Sequence, residues 1–168
     1  AELADVFATK REGVRFVLQS VQEAFPDSPI YALSLDERFV ELGAALESPL
    51  NFAATNWLAT ALFVADQRPN CTLVDVGSTT ADIIPIWEGR IASRGRTDLE
   101  RLCAGELVYT GVLRTHLAAI AHAVPVGGQM CPVSSEYFAI SADVHLILGH
   151  IDAADYNCLT PDGRPATP

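Results

Sequence analysis

Residues 71–87, CTLVDVGSTTADIIPIW, contain two β-rich runs separated by a short turn of small residues. The runs, 72–76 and 81–87, are rich in apolar and β-branched residues, which favour strands. The residues between them are Gly77-Ser78-Thr79-Thr80. This pattern predicts a β-hairpin.

The composition of the turn favours phosphate binding. Small residues allow consecutive backbone N–H groups to point into one concavity, which is how backbone can hold phosphate oxygens. The hydroxyl groups of Ser78, Thr79 and Thr80 add further donors. We therefore expect Gly77, Ser78, Thr79 and Thr80 to bind phosphate, with a plain hairpin as the alternative.

A carboxylate flanks the turn on each side, Asp75 before it and Asp82 after it. Two carboxylates beside a phosphate site can hold a divalent cation such as Mg²⁺. The run LVDV is apolar except for Asp75, which predicts a strand buried on both faces. A buried carboxylate is costly unless it is paired or bound to metal, so we expect Asp75 and Asp82 to be metal ligands.

The bulk composition indicates a folded domain. The chain has 168 residues, of which 49% are hydrophobic and 19% charged, so a sizeable core is expected. A net charge of −10 argues against binding to nucleic acid or to anionic membranes. No apolar run reaches the about 18 residues of a membrane span and there is no N-terminal signal, so a cytoplasmic protein is expected. The four cysteines form no CxxC pair and are expected to be reduced thiols.

Hydrophobic periodicity predicts helices and strands that alternate along the chain, which indicates the α/β class. Glu88-Gly89 is expected to form a two-residue turn after the hairpin. The segment 106–126 fits either a strand or a helix. The predicted helices are 3–25, 52–65, 99–104 and 134–148, and the further strands are 30–35, 38–42 and 90–94.

The order of the elements predicts parts of two lobes. A three-strand meander with a phosphate turn between its first two strands, followed by a helix, is how a ribonuclease H-like unit begins. We therefore expect 1–68 to be the C-terminal part of a first lobe and 69–168 the N-terminal part of a second. The chain opens in a helical pattern and closes on the Pro-rich TPDGRPATP, so a fragment of a longer protein is expected.

The hairpin VDVGSTTADI resembles the second phosphate loop of the actin-like ATPase superfamily. Further segments extend the resemblance over nearly the whole chain: AELADVFATKREGV, NWLATA, GRTDLERLCAGELVYTGVLRT and SSEYFAISADVHLILG. Together they resemble the hydantoinase/oxoprolinase-related proteins of tetrahydromethanopterin-linked one-carbon metabolism, a family associated with methanofuran biosynthesis.

The resemblance implies a transferase that joins an aminomethylfuran-methyl diphosphate to γ-glutamyltyramine and releases diphosphate. The partners would be this diphosphate substrate and a tyramine-type acceptor, and a homodimer stays open. The phosphate turn would be the catalytic centre, because departing diphosphate needs its charge met by metal and fixed donors. Asp75 and Asp82 would be the catalytic carboxylates that hold Mg²⁺.

The matched motif GRTDLERLCAGELVYTG contains further candidates. Arg96 is expected to bind phosphate, because a guanidinium group can bind phosphate in bidentate fashion. Arg114 is a weaker candidate for the same role. Glu106 could be a base, but a locally hydrogen-bonded carboxylate is the preferred interpretation. Tyr109 is expected in the core.

Two alternatives remain open. The hairpin would serve ATP with Mg²⁺ equally well, as in an ATP-dependent hydantoinase/oxoprolinase-like hydrolase or a small-molecule kinase. A non-catalytic phosphate-binding module is the second alternative. The superfamily also has a D-x-G-G/A phosphate loop at an earlier position, and this sequence has no such motif ahead of the hairpin. The fragment alone is therefore expected to be inactive.

Overall fold

The computed structural model describes residues 6–136 and 139–156. Helices and strands alternate, which confirms the predicted α/β composition. Short 3₁₀ turns lie at Pro49–Phe52 and Leu117–Ala119. The helices are α1 (Lys10–Ala24), α2 (Leu42–Glu47), α3 (Asn56–Gln67), α4 (Asp98–Ala104) and α5 (Ser141–Ile147), and the strands are β1 (Tyr31–Leu33), β2 (Phe39–Glu41), β3 (Cys71–Val76), β4 (Ala81–Trp87), β5 (Arg90–Ile91), β6 (Leu107–Val108), β7 (Ala123–Val126) and β8 (Gln129–Pro132).

Helix α1 begins later than its hydrophobic pattern predicts. Thr9 is extended, with φ −143° and ψ 151°, and its side chain accepts a hydrogen bond from the backbone N–H of Glu12. This N-cap satisfies a donor of the first turn and fixes the start of the helix at Lys10. Of the predicted earlier start, residues 3–5 lie outside the described residues. Within the described chain, no helix has both the length and the apolar character needed to cross a membrane.

A sheet of four strands contains the predicted hairpin. Its order is β3-β4-β5, and β6 also pairs with β4. β6 pairs with the first half of β4 and β5 with the second half, so the two short strands share one edge of β4. The antiparallel registers are Ala81↔Val108, Asp82↔Leu107, Ile86↔Ile91 and Trp87↔Arg90.

The third strand of the meander is shorter than predicted, because β5 ends at Ile91 rather than at residue 94. The backbone N–H groups of Arg94 and Gly95 donate to the carboxylate of Glu106, at 2.7 and 3.1 Å. These two N–H groups therefore bind a side chain instead of pairing with a neighbouring strand. The predicted turn before β5 is confirmed, since Glu88 and Gly89 have φ of 50° and 71°, as a type I′ turn requires.

The chain divides into two compact units. The first unit consists of Ala1–Leu73 with Ile84–Glu106, and the second of Val74–Ile83 with Leu107–Pro168. This division does not test the predicted lobe boundary after residue 68, which stays a prediction. Helix α3 packs on the sheet in the first unit, and their contact forms a buried cluster of Trp57, Leu58, Ala61, Ile84 and Ile91.

In the second unit, helix α5 begins at Ser141 rather than at the predicted residue 134. Ile140 is fully buried, extended and bridged to His116, so the chain cannot be helical there. Thr115 N–H also donates to Ser141 Oγ at 3.2 Å. Residues 137 and 138 of the predicted helix lie outside the described residues. Gly149, with φ 70°, follows the helix end as predicted.

Candidate phosphate-binding site

The β3–β4 turn (residues 77–80) is closed by a hydrogen bond from Gly77 N–H to the carbonyl oxygen of Thr80, at 2.8 Å. In an antiparallel hairpin, a residue that lies a given number of positions before such a bond faces the residue that lies the same number of positions after it. Asp75, two positions before Gly77, therefore faces Asp82, two positions after Thr80, and side chains that face each other lie on the same side of a hairpin. Asp75 is exposed and Asp82 is half-buried. The turn thus brings the two predicted carboxylates to one face.

The environment of β3 differs from the prediction. Val74 and Val76 are 58% and 53% exposed, and Asp75 between them is exposed as well. The predicted strand buried on both faces is therefore wrong: within the described sheet order, β3 is an edge strand. Desolvation consequently gives no argument for a metal at Asp75. Its assignment rests on its place beside the turn.

Two carbonyl groups of the turn accept hydrogen bonds from the backbone of residues 112–114. Gly77 oxygen accepts a hydrogen bond from Val112 N–H at 3.0 Å. Ser78 oxygen accepts two, from the N–H groups of residues 113 and 114, at 3.1 and 2.8 Å. Within the described residues, the N–H groups of Ser78, Thr79 and Thr80 donate to no backbone carbonyl. The turn therefore keeps its donors for another acceptor, as an anion-binding concavity requires.

Gly111 approaches the turn so closely that a side chain has no room. A Cβ atom at this position would lie 2.5 Å from Thr79 N and 2.6 Å from Gly77 O. Gly111 itself is fixed by Thr115, whose hydroxyl accepts from Gly111 N–H at 2.6 Å. Gly77 and Thr79 nevertheless stay exposed, so the turn is covered on one side and open on another.

Arg114 is the arginine that the structure brings to the turn. Its Nη2 donates to Ser78 Oγ at 2.7 Å, and its side chain is exposed. The two residues are 36 positions apart. From the sequence, Arg114 is a weaker candidate, named because its residue type suits phosphate. No local pattern in the sequence pairs it with Ser78.

Arg96 has its own partner in the first unit. Its Nη1 lies 2.6 Å from Glu37 Oε1, and both side chains are partly buried. The neighbouring Asp98 likewise pairs with Lys10, whose Nζ lies 2.9 Å from Asp98 Oδ2. Phosphate binding by Arg96 stays a prediction.

Glu106 is a buried structural carboxylate, 6% exposed, that holds the backbone of residues 94 and 95. This agrees with the preferred interpretation of a locally hydrogen-bonded group. Beside it, the guanidinium of Arg101 lies 3.9 Å from the ring centroid of Trp57, a cation–π contact, and its Nη2 donates to Glu106 O at 3.0 Å. Tyr109 is 52% exposed, so its predicted core position is wrong.

A metal would have two carboxylates at this site. Among the described residues, no three His, Cys, Asp or Glu side chains come together in a way that could hold a metal ion. Mg²⁺ is ordinarily held by one or two carboxylates together with substrate phosphates and water. Asp75 and Asp82 therefore fit Mg²⁺ as a co-ligand of a bound phosphate ester rather than as a permanently held ion.

Two other features lie away from the turn. A cavity of about 220 Å³ in the first unit contains none of the predicted site residues; its lining includes Gln22, Phe25, Tyr31 and Glu41. In the second unit, His145 Nδ1 lies 3.1 Å from His150 Nδ1. We place the candidate site at the turn because the backbone donors, a guanidinium group and the carboxylates occur there.

Comparison with known proteins gives the family. The hydantoinase/oxoprolinase family model matches residues 1–167. A protein of Methanocaldococcus jannaschii is 45% identical over 164 residues, which make up 97% of this chain and 49% of that protein. Its name is (4-{4-[2-(gamma-L-glutamylamino)ethyl]phenoxymethyl}furan-2-yl)methanamine synthase. A protein of the same name from Methanococcus vannielii is 54% identical over 97 residues, 58% of this chain and 43% of that protein.

The chain thus spans about half the length of the curated relatives it matches. The family match covers almost every residue, including the turn and the 94–106 segment. The chain belongs to the hydantoinase/oxoprolinase family.

Proposed function

We propose that this chain is part of a synthase that forms the aryl ether of a methanofuran precursor. The names of the relatives describe a product in which an ether oxygen and a methylene group join a furan methanamine to an aromatic ring that carries a 2-(γ-glutamylamino)ethyl group. The proposed substrates are therefore an aminomethylfuran-methyl diphosphate and γ-glutamyltyramine. The enzyme would be a transferase with diphosphate as the leaving group.

The reaction needs a site that stabilises a departing anion. The phenol oxygen forms a bond to the methylene carbon of the furan, and the bond from that carbon to the diphosphate oxygen breaks. The electron pair leaves with diphosphate, and the phenolic proton passes to solvent. Fixed donors lower the barrier when they meet the charge that develops on the leaving group. Mg²⁺, when bound, would neutralise part of that charge.

The observation that carries the proposal is the orientation of the β3–β4 turn. Its carbonyl oxygens at Gly77 and Ser78 are bound to the 111–114 segment, while the N–H groups of residues 78–80 have no backbone acceptor within the described chain. These donors would hold diphosphate oxygens, with the hydroxyl groups of the turn beside them. Asp75 and Asp82 would hold Mg²⁺ against the same oxygens.

The proposal extends to the fold. Membership of the hydantoinase/oxoprolinase family supports a relation to the actin-like ATPases. We propose that residues 69–168 begin a ribonuclease H-like lobe and that 1–68 end the preceding one. The β3–β4 turn would then be the second phosphate loop of that fold, used here for a substrate diphosphate.

The test uses the full-length protein with both substrates and Mg²⁺. Ether product is measured by mass spectrometry and released diphosphate by a coupled assay. Asp75→Asn and Asp82→Asn remove one charge each without changing shape, and we expect each to lower kcat by about 100-fold. Asp66→Asn, an exposed carboxylate at the end of α3, is the matched control and should leave the rate unchanged.

Each result has a definite consequence. Wild-type rates in both turn variants would remove the carboxylates from catalysis. Hydrolysis of ATP without ether formation by the wild type would replace the synthase with an ATP-dependent hydrolase or kinase. Binding of diphosphate with neither reaction would leave a phosphate-binding module.

A further inference from the structure

Arg114 is attached to the β3–β4 turn by its backbone and its side chain. Its N–H donates to Ser78 O at 2.8 Å, and its Nη2 donates to Ser78 Oγ at 2.7 Å. Both hydrogen bonds go to one residue at the tip of the turn. The guanidinium group is therefore held against Ser78, within the turn whose N–H groups are the proposed phosphate donors.

The charge of Arg114 has no carboxylate partner in the described chain. Ion pairs there join Lys10, Arg38, Arg94 and Arg96 to carboxylates, and none includes Arg114. A guanidinium group has five N–H donors, and the contact with Ser78 Oγ uses one. An exposed arginine with donors to spare, in a protein of net charge −10, is suited to an anionic ligand.

We propose that Arg114 binds the second phosphoryl group of a diphosphate ester, while the N–H groups of residues 78–80 bind the first. The proposal rests on the function proposed above and deepens it, because it assigns a residue that selects the ligand. A short turn has room for the oxygens of one phosphoryl group. A second group needs a donor beside the turn, and Arg114 supplies it. The site therefore prefers diphosphate to monophosphate.

A purely structural role makes a different prediction. If Arg114 only held Ser78 in place, loss of the guanidinium would weaken the binding of diphosphate and of phosphate to the same extent. If Arg114 contacts the ligand, its loss affects diphosphate much more than monophosphate. The ratio of the two affinities is therefore a readout that a structural role would not change.

The experiment is calorimetric titration of the full-length protein with inorganic diphosphate and with inorganic phosphate, each with Mg²⁺. Arg114→Ala should weaken diphosphate binding by about 10- to 100-fold, the usual loss for a hydrogen bond to a charged group, and phosphate binding by less than about threefold. Arg114→Lys keeps the positive charge but not the paired donors of a guanidinium group, so its affinity for diphosphate should lie between those of the wild type and Arg114→Ala. Ser78→Ala should lose less than Arg114→Ala. Arg90→Ala, an exposed arginine on β5, is the control.

The outcomes separate this proposal from the function on which it rests. Diphosphate binding by Arg114→Ala at the wild-type level, or an equal loss of diphosphate and phosphate affinity in that variant, overturns the role of Arg114 and leaves the synthase proposal standing. Failure of the wild type to bind diphosphate overturns the proposed function itself. If Arg114→Ala does not fold, as judged by thermal unfolding, Arg114→Lys decides: a reduced preference for diphosphate supports the proposal, and an unchanged preference refutes it.

Discussion

The β3–β4 turn and the segment of residues 94–106, which includes helix α4, both carry polar motifs, but their polar groups have different partners. In the 94–106 segment, Asp98 and Arg96 are paired with side chains of the first unit, and Glu106 accepts from backbone. In the turn, the N–H groups of residues 78–80 have no backbone acceptor in the described chain. The polar groups of the 94–106 segment are bound within their own unit, whereas the turn has N–H groups that the described backbone does not use.

The difference shows how a charged motif should be interpreted. The sequence favoured Arg96 over Arg114 for phosphate binding, yet Arg96 has a carboxylate partner in the described chain and Arg114 donates to the hydroxyl of Ser78. A guanidinium group that is paired with a carboxylate has part of its hydrogen-bonding capacity used, whereas an exposed one with donors to spare is suited to binding an anion. Partners rather than residue type therefore distinguish the two roles.

The largest expected effect on diphosphate affinity comes from a comparison of two glycines, Gly111, which packs against the turn, and Gly95, which lies in the 94–106 segment. A Cβ at Gly111 would lie 2.5 Å from Thr79 N, and a Cβ at Gly95 would lie 2.5 Å from Arg101 N. Gly111→Ala must displace the turn, so we expect diphosphate affinity to fall by more than about 100-fold. Gly95→Ala should instead cost about 1–3 kcal/mol of stability, as overpacking does, and leave affinity within about twofold.

Denaturant unfolding and calorimetry on the full-length variants measure both quantities. The comparison between the regions fails if Gly95→Ala loses diphosphate binding while it stays folded. It fails equally if Gly111→Ala binds like the wild type.

A smaller effect is expected from the cap of α4. Hydrogen bonds from the backbone N–H of Thr97, and then of Arg96, lower the pKa of Glu100 below its ordinary value. Because the folded-state pKa is the lower one, the stabilisation is present above the unfolded pKa. It is lost as the pH falls through the folded value. The cap should therefore weaken only on acidification.

Melting temperatures of the wild type and of Glu100→Gln, measured from about pH 6 to about pH 3, test this cap. The glutamine keeps an acceptor but does not titrate in this range, so the advantage of the wild type should shrink as the pH falls. Parallel curves would show that Glu100 does not contribute through its charge. Diphosphate affinity near neutral pH should be the same in both proteins.

Local patterns predicted much of the fold. The hairpin strands, helix α4 and the helix end before Gly149 all depend on neighbouring residues, and the structure has them within one residue or so of the predicted positions. The start of α5 was wrong because Ile140 is held extended by its bridge to His116, a contact between distant residues.

The candidate site likewise has features that neighbouring residues determine and features that distant contacts determine. The turn and its two carboxylates are adjacent in sequence and could be predicted. The exposure of Val74 and the contact between Arg114 and Ser78 depend on how distant segments pack, so no local pattern shows them. The same holds for Glu106, whose partners lie 11 and 12 residues away.

The most direct test of the central claim is the backbone amide NMR spectrum of the full-length protein during titration with diphosphate and Mg²⁺. The claim is that the N–H groups of Ser78, Thr79 and Thr80 donate to the bound anion. Their resonances should show the largest shifts, and those of residues 97–104 should stay unchanged. Saturable diphosphate binding that leaves the three turn amides unshifted would contradict the account.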